Sequence, residues 1–157
     1  MIRPATPADA EAVARVQLAS WRAAYAHLFS AGQFDQYPLD RRADFWRRYR
    51  PLVAEIDGEV VGFASVGSAD DKDADGELFA IYVRPEQWGS GVGRALIQAA
   101  EERLRELGHA SAVLWVYDDN PRARRFYEAA GWRTDGQRRP YEFLGAAHPV
   151  VRYAKTL

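Results

Sequence analysis

Three glycines, Gly89, Gly91 and Gly93, occupy alternate positions within the stretch Trp88–Arg94. The apolar run Leu78–Val83 precedes this stretch, and an amphipathic segment follows it. Glycine lets the backbone approach a ligand closely and adopt positive φ, and the first turn of a helix offers unpaired N–H groups at the positive end of its dipole. A loop of this composition between a strand and a helix predicts that main-chain amides bind a pyrophosphate.

The spacing of the glycines excludes two common phosphate motifs. A P-loop needs Lys followed by Ser or Thr after its last glycine, but this chain has Arg94 and Ala95 there. A dinucleotide fingerprint needs a glycine three residues after its second one, where Arg94 stands when counted from Gly91. A purely structural turn is the remaining alternative, although a turn rarely needs three glycines in five positions.

Hydrophobic periodicity and capping residues predict the elements that precede the loop. A first helix is expected to begin at Pro7, because Thr6 supplies a capping hydroxyl and proline is favoured at the first helical position. A second helix is expected from Leu39 to Tyr49. The strands Leu52–Ile56 and Val60–Val66 then form a hairpin around Asp57-Gly58.

The second half of the chain alternates strands with helices. The segment Ser68–Gly76, here named the acidic loop, leads into the strand Glu77–Val83. The later elements are a helix from Gly93 to Gly108, a strand at Ala112–Val116, a helix from Asn120-Pro121 to Gly131, and short strands at Trp132–Asp135 and Val150–Tyr153. This order predicts an α/β fold, a mixed sheet with helices on both faces.

Length and composition narrow the class of protein. The 157 residues fit one domain, which we expect to span residues 1–157. A net charge of −1, from 21 basic and 22 acidic residues, gives no global electrostatic case for nucleic acid or membrane. The chain has no cysteine, so it has no thiol nucleophile, and its N-terminus lacks the apolar core of a signal peptide. We therefore expect a cytoplasmic protein.

Two segments together resemble one family. The run Tyr82–Leu96, which contains the three glycines, resembles the acetyl-CoA motif of the GNAT superfamily of N-acetyltransferases. The run Asn120–Trp132 resembles the second motif of this superfamily, at its usual separation from the first. The first motif departs from the family pattern at Trp88, where arginine or glutamine is common, and Gln87 lies one position early. This departure affects a side-chain contact and leaves the main-chain amides in place.

The resemblance implies a fold and a donor. The fold would be α/β (α+β), with a mixed, mostly antiparallel twisted sheet of about six to seven strands that is splayed between the fourth and fifth strands. The donor would be acetyl-CoA, bound as a co-substrate without a metal. The residues implied to contact it are Ile81, Tyr82 and Val83 along the pantetheine arm, Trp88, Gly89, Ser90, Gly91, Val92, Gly93 and Arg94 at the pyrophosphate, and Asn120, Ala123 and Tyr127.

Two residues are the catalytic candidates. The resemblance assigns to Tyr127 the protonation of the departing thiolate of coenzyme A, whereas spacing alone favours a core aromatic beside Phe126. Glu77 opens the strand and is the first candidate for the general base, with a solvated surface acid as the alternative. A free amide near Ile81 or Tyr82 would stabilise the oxyanion. Asn120 would bind pantetheine, cap its helix, or do both.

The remaining polar residues predict no metal site. The acidic loop matches the start of an EF-hand, but the required bidentate glutamate falls at Tyr82, so a solvated hairpin loop is expected. A secondary interpretation is that its charge attracts cationic substrates. The three histidines have no motif partner and are expected to be surface or capping residues; they are His27, His109 and His148.

The acceptor is expected to be a small-molecule or peptide amine rather than nucleic acid or membrane. Because family members build the acceptor site largely from their first two helices, Tyr25 and Phe29 are candidate substrate-binding residues. Tyr117 is a third candidate. Core packing is the alternative for aromatic residues at helical spacing. A homodimer is a candidate assembly because dimers are common in the family.

The predicted function is transfer of the acetyl group of acetyl-CoA to a primary amine. The absence of cysteine favours direct attack in a ternary complex over an acyl-cysteine intermediate. Two alternatives stay open: a non-catalytic acyl-CoA-binding module, and a mononucleotide-binding module that would prefer ATP or GTP.

Overall fold

The strands of the protein form one seven-stranded sheet in the computed structural model, which describes all residues from Met1 to Leu157. The strands are β1 (Ile2–Pro4), β2 (Leu52–Ile56), β3 (Glu59–Ser68), β4 (Gly76–Val83), β5 (Ser111–Tyr117), β6 (Arg133–Phe143) and β7 (Ala146–Thr156). Their order in the sheet is β1-β2-β3-β4-β5-β7-β6. β4 and β5 are parallel, whereas β1 with β2, β2 with β3, β5 with β7, and β6 with β7 are antiparallel. The predicted mixed, mostly antiparallel α/β sheet is confirmed.

Five helices connect these strands. They are α1 (Ala10–Tyr25), α2 (Ala31–Phe34), α3 (Leu39–Arg48), α4 (Val92–Glu106) and α5 (Pro121–Ala129). Helix α1 follows a short 3₁₀ turn, Pro7–Asp9, and a second such turn, Pro85–Gln87, precedes α4. None of the helices combines the length and the apolar character needed to span a bilayer.

The chain divides into two units. Unit 1 comprises Met1–Ser65 and Ala80–Ala100. In this unit the β2–β3 hairpin turns through Asp57 and Gly58, both at positive φ, as the Asp-Gly pair predicts. A buried polar contact joins α1 to α3, because Gln17 accepts hydrogen bonds from Trp46 Nε1 at 2.8 Å and Arg42 Nε at 3.1 Å.

Unit 2 comprises Val66–Phe79 and Glu101–Leu157. Strands β5 and β7 pair along their length, from Ser111 opposite Thr156 to Tyr117 opposite Val150. Helix α5 packs on Tyr153, which is fully buried and accepts a hydrogen bond from Arg124 Nε at 3.0 Å. Tyr153 of β7 is therefore covered by α5.

The splay predicted between the fourth and fifth strands is present. Only Gly76 and Glu77 of β4 pair with β5, opposite Ala112 and Val113. The later residues of β4 therefore offer main-chain groups that β5 does not use.

The C-terminal strands are longer than the sequence predicted. Strands of four residues were expected at Trp132–Asp135 and Val150–Tyr153, but β6 and β7 each have 11 residues. β6 lies at the sheet edge and is exposed almost throughout, so it carries no alternating apolar pattern. Pro140 in β6 and Pro149 in β7 also argue against strand in a sequence-based prediction. The edge strand β6 tolerates proline, and Pro149 lies just before the residues of β7 that pair with β5. β1 and α2 are likewise additional elements.

Candidate active site

The stretch Trp88–Arg94 of unit 1, here named the glycine loop, has a backbone that requires glycine at two positions. Gly89 has φ +81° and Gly91 has φ +96°, and a Cβ added at either would meet no atom within 4 Å. The helical hydrogen bonds of α4 start at Ala95, whose N–H donates to the carbonyl of Gly91 at 3.1 Å. The N–H groups of the preceding first turn have no acceptor within the helix. The loop can therefore present several main-chain donors to an anion.

Trp88 holds the loop against the end of β4. Its indole Nε1 donates to the carbonyl oxygen of Val83 at 2.8 Å. The Ser20 hydroxyl of α1 lies 3.0 Å from the same oxygen and 2.7 Å from the carbonyl oxygen of Val16, and its one proton is shared between them. Trp88, at which the motif departs from the family pattern, is therefore hydrogen-bonded to the main chain of Val83. Sequence reasoning did not single out Ser20, because a serine inside a helical stripe carries no motif.

Ile81, Tyr82 and Val83, the residues of β4 implied to contact the pantetheine arm, are partly exposed. The hydroxyl of Tyr82 lies 3.4 Å from that of Tyr25, which is 8% exposed. Phe29 is 4% exposed, and its ring packs edge-on against Tyr25, with ring centroids 6.5 Å apart. Unit 1 therefore brings both aromatic candidates of the first helical segment into one packed group.

Glu77 of unit 2 is a buried carboxyl group, 9% exposed, rather than a solvated surface acid. Its Oε1 accepts a hydrogen bond from the main-chain N–H of Asp70 at 3.4 Å. Burial raises the pKa of Glu77 to about 7, because the ionised form loses hydration. Near neutral pH this carboxyl group can therefore both accept and release a proton.

The acidic loop connects the neighbouring strands β3 and β4 and is largely exposed, as the sequence predicted, but three of its carboxylates also bind cationic or N–H groups. Arg152 donates to both oxygens of Asp73 at 2.7 Å, and Asp71 accepts from Trp115 Nε1 at 2.9 Å. Asp75 pairs with His109 at 2.8 Å. The pattern of acids predicted the charge, but their partners come from distant parts of the chain. No cluster of three or more histidine, aspartate or glutamate side chains has an arrangement that could hold a metal ion.

The second motif forms α5 in unit 2. Asn120 is buried, and its Oδ1 accepts from the N–H of Ala123 at 3.2 Å, so the capping role is present. Tyr127 is 9% exposed, and its ring lies 5.4 Å from that of Phe126 and 6.1 Å from that of Tyr153, measured between centroids. The structure thus places Tyr127 on a packed helix face with a small exposed fraction.

Tyr117 ends β5 within an aromatic group of unit 2. Its ring centroid lies 6.3 Å from that of Tyr141 and 6.2 Å from that of His148. His148 therefore packs against a ring, and the His109 side chain is mostly buried against Asp75 instead of lying on the surface.

Two sequence comparisons identify proteins similar to this chain. The model of the acetyltransferase (GNAT) family matches residues 15–132. The uncharacterized N-acetyltransferase YuaI of Bacillus subtilis is 34% identical over 135 residues, which are 82% of this chain and 77% of that protein.

Two solved structures have the same fold. The PaiA N-acetyltransferase of Thermoplasma acidophilum, in complex with coenzyme A, has a TM-score of 0.82 and 20% identity, covering 100% of this chain and 98% of that one. A GCN5-related N-acetyltransferase of Rhodopseudomonas palustris has a TM-score of 0.81 and 26% identity, covering 100% and 95%. Since the family model spans residues 15–132 and so covers most of the sequence, the chain belongs to the acetyltransferase (GNAT) family.

Proposed function

We propose that this protein transfers the acetyl group of acetyl-CoA to a primary amine of a small molecule or peptide, by direct attack in a ternary complex. The main support for the proposal is the presence, on β4, of both a buried carboxyl group and main-chain groups that β5 does not pair. The second residue of this strand is Glu77, with its buried carboxyl group, and the strand continues into Ile81–Val83, which β5 does not pair. One strand thus combines a candidate base with main-chain groups, at Ile81 and Tyr82, that β5 does not pair.

The donor site is assigned to the part of β4 that β5 does not pair and to the loop that follows it. Pantetheine would pair with Ile81 and Tyr82 as an added strand, and the amides of Gly89–Arg94 would bind the pyrophosphate. The positive φ values of Gly89 and Gly91 support this role, since residues with a Cβ adopt such φ values only at an energetic cost. The coenzyme A complex of the Thermoplasma structure supports the same ligand class.

The reaction needs one proton removed and one supplied. Glu77, directly or through a water molecule, takes a proton from the ammonium form of the acceptor, and the amine nitrogen attacks the thioester carbonyl carbon. A main-chain N–H near Ile81 or Tyr82 stabilises the tetrahedral oxyanion. The C–S bond then breaks with its electron pair on sulfur, and the hydroxyl of Tyr127 donates a proton to that thiolate. With no cysteine in the chain, the acetyl group passes directly from sulfur to nitrogen.

Aromatic residues are the candidates for acceptor binding. Tyr25 and Phe29 belong to the packed group of unit 1, and Tyr117 belongs to the aromatic group of unit 2. Aromatic faces suit the apolar or cationic body of an amine.

The test is an amine panel assayed for acetyl-CoA-dependent release of thiol by purified protein. We expect turnover with at least one primary amine, and a loss of about 100-fold or more in Glu77→Gln at pH 7. Binding of coenzyme A without turnover on any amine would instead favour the non-catalytic module. Tighter binding of ATP than of acetyl-CoA in a thermal-shift assay would favour the mononucleotide module.

A further inference from the structure

Phe79 is an exposed aromatic residue beside the candidate base. It is 44% exposed, although phenylalanine is among the residues most often buried. Side chains alternate between the two faces of a strand, so Phe79 lies on the same face of β4 as Glu77, two positions further along. An apolar ring is therefore accessible to solvent at a backbone position about 7 Å from that of Glu77.

The ring of Phe79 is supported by the neighbouring strand β3. A Cβ added at Gly67 would lie 3.1 Å from Cε2 and 3.8 Å from Cζ of this ring, so the ring lies against the main chain of Gly67. A larger side chain at that position would compete with the ring for space. The edge of the ring that contacts β3 is thus fixed, while much of its surface stays accessible.

Trp115 occupies the corresponding position on β5. The last register pair of β4 and β5 joins Glu77 to Val113, and beyond it the two strands are no longer paired. Trp115 follows Val113 by two positions, so it lies on the same face of the sheet. Phe79 follows Glu77 in the same way. The cleft between these strands therefore has the Glu77 carboxyl group at its closed end and an aromatic side chain on each strand.

Charged groups hold Trp115 in place. Its Nε1 donates to Asp71 at 2.9 Å, and the guanidinium of Arg139 lies over its ring, 3.9 Å from the centroid. Arg139 also donates to Asp71 at 3.2 Å. The side of the cleft formed by Trp115 is therefore fixed, and it carries a positive charge.

The charges around the cleft favour an apolar ligand over a cationic one. In the acidic loop, Asp73 is bound through both oxygens by Arg152 at 2.7 Å, and Asp71 is bound by Trp115 and Arg139. A second positive charge on an acceptor would therefore meet Arg139, whereas an apolar group would meet the ring of Phe79.

We propose that Phe79 determines acceptor specificity: its ring binds the apolar body of the primary amine that Glu77 deprotonates, and Trp115 bounds the other side of the site. This inference rests on the proposed function. The acceptor class is a primary amine with an alkyl or aryl group, either a free alkylamine or a peptide N-terminus whose first side chain is apolar. Contact with the ring removes apolar surface from water, so longer apolar groups bind more tightly.

The test compares kcat/KM for hexylamine, ethylamine and diaminohexane, measured by thiol release at saturating acetyl-CoA. Wild type should prefer hexylamine to ethylamine by about tenfold or more, since each fully buried methylene contributes about fourfold. Phe79→Ala should lower the value for hexylamine by about tenfold and leave that for ethylamine within about twofold. Phe79→Leu keeps an apolar side chain and should retain most of the preference. Diaminohexane should be a poorer substrate than hexylamine.

Leu107→Ala is the matched control. Leu107 follows α4 in the same unit and is 45% exposed, so the substitution also removes an exposed apolar group, and it should change none of the three values. For a peptide acceptor, a tripeptide that begins with leucine replaces hexylamine, and one that begins with serine replaces ethylamine. The inference is overturned if Phe79→Ala leaves the preference unchanged or lowers all acceptors equally, or if wild type prefers diaminohexane to hexylamine.

A binding measurement separates this inference from the proposed function. Protein labelled with fluorophenylalanine has seven labelled rings, and the ¹⁹F signal of Phe79 is the one lost in Phe79→Leu. With coenzyme A present, hexylamine should shift this signal more than ethylamine does, in wild type and in Glu77→Gln alike. A shift without acetylation of any amine would refute the proposed function alone. Acetylation that neither shifts this signal nor depends on Phe79 would refute this inference alone.

Discussion

The indole Nε1 of Trp88 donates a hydrogen bond to the main-chain carbonyl of Val83 at 2.8 Å. This bond links the first residue of the glycine loop to the last residue of β4, the strand proposed to carry the pantetheine arm. The side chain at the position that departs from the family pattern thus holds the loop, so its contribution to coenzyme binding would come from preorganisation.

Trp88→Phe should weaken coenzyme A binding without removing a coenzyme contact. The phenyl ring keeps most of the apolar surface but cannot donate to Val83, and a hydrogen bond worth about 1 kcal/mol corresponds to roughly a fivefold increase in Kd. Isothermal titration calorimetry measures the change. Tyr49→Phe, at an exposed ring after α3, is the control and should bind like the wild type. Unchanged affinity in Trp88→Phe would contradict the prediction.

Gly91→Ala should lower both the free energy of unfolding and the affinity for coenzyme A. The added Cβ meets no neighbour within 4 Å, so the cost of about 1 kcal/mol comes from φ +96° alone. Urea denaturation with and without coenzyme A measures both effects. Gly32→Ala is the matched control, because Gly32 lies within α2 with only Ser30 Oγ at 4.0 Å, and it should be neutral or stabilising.

Tyr127→Phe should slow acetyl transfer far more than it weakens coenzyme A binding. If its hydroxyl protonates the leaving thiolate, we expect kcat to fall by about 100-fold, measured by thiol release with an active amine. Tyr153→Phe is the matched control, since its hydroxyl binds Glu128 at 2.8 Å and Arg124 at 3.0 Å. The control should lose stability rather than kcat. Equal kcat in Tyr127→Phe and wild type would remove Tyr127 as the acid.

Arg152→Ala should destabilise the protein far more than loss of an exposed arginine. Its side chain is 8% exposed and faces three aspartates, so removing it leaves Asp73 and Asp135 without their cation, at a cost of about 2 kcal/mol. Arg22→Ala breaks an exposed pair with Asp35 and should cost less than about 0.5 kcal/mol. Chemical denaturation of both variants at pH 7 compares them, and equal losses would show that the Arg152 network contributes little.

Asp9 should make the stability of the protein fall in acid. Two hydrogen bonds from Arg3, at 2.8 and 3.0 Å, lower the pKa of Asp9 from 3.8 to about 2. Because the folded-state pKa is the lower one, this stabilisation is complete above the unfolded value and is lost as pH falls through about 2.

The corresponding measurement is the free energy of unfolding of wild type and Asp9→Asn between pH 6 and about pH 2. The difference between the two proteins should be largest at pH 6 and should shrink toward pH 2. Asp44→Asn, which breaks an exposed pair within α3, serves as the comparison. A difference that stays constant with pH would contradict the linkage.

Local sequence determined the elements that depend on nearest neighbours. The three glycines marked the turn into α4, Asp57-Gly58 marked the hairpin, and Asn120-Pro121 marked the start of α5. These features depend on φ preferences and on capping hydrogen bonds within a few residues, so a single sequence contains them. The two motifs also identified the family, which the comparisons confirmed.

Only the tertiary structure decided which partners the polar residues have. Arg152 lies 79 positions from Asp73 in the chain, and Arg139 lies 68 positions from Asp71. Their pairing depends on strand register and on the path of the acidic loop, neither of which leaves a local pattern. The burial that raises the pKa of Glu77 to about 7 arises in the same way, because exposure is a property of the packed chain and not of the residue type.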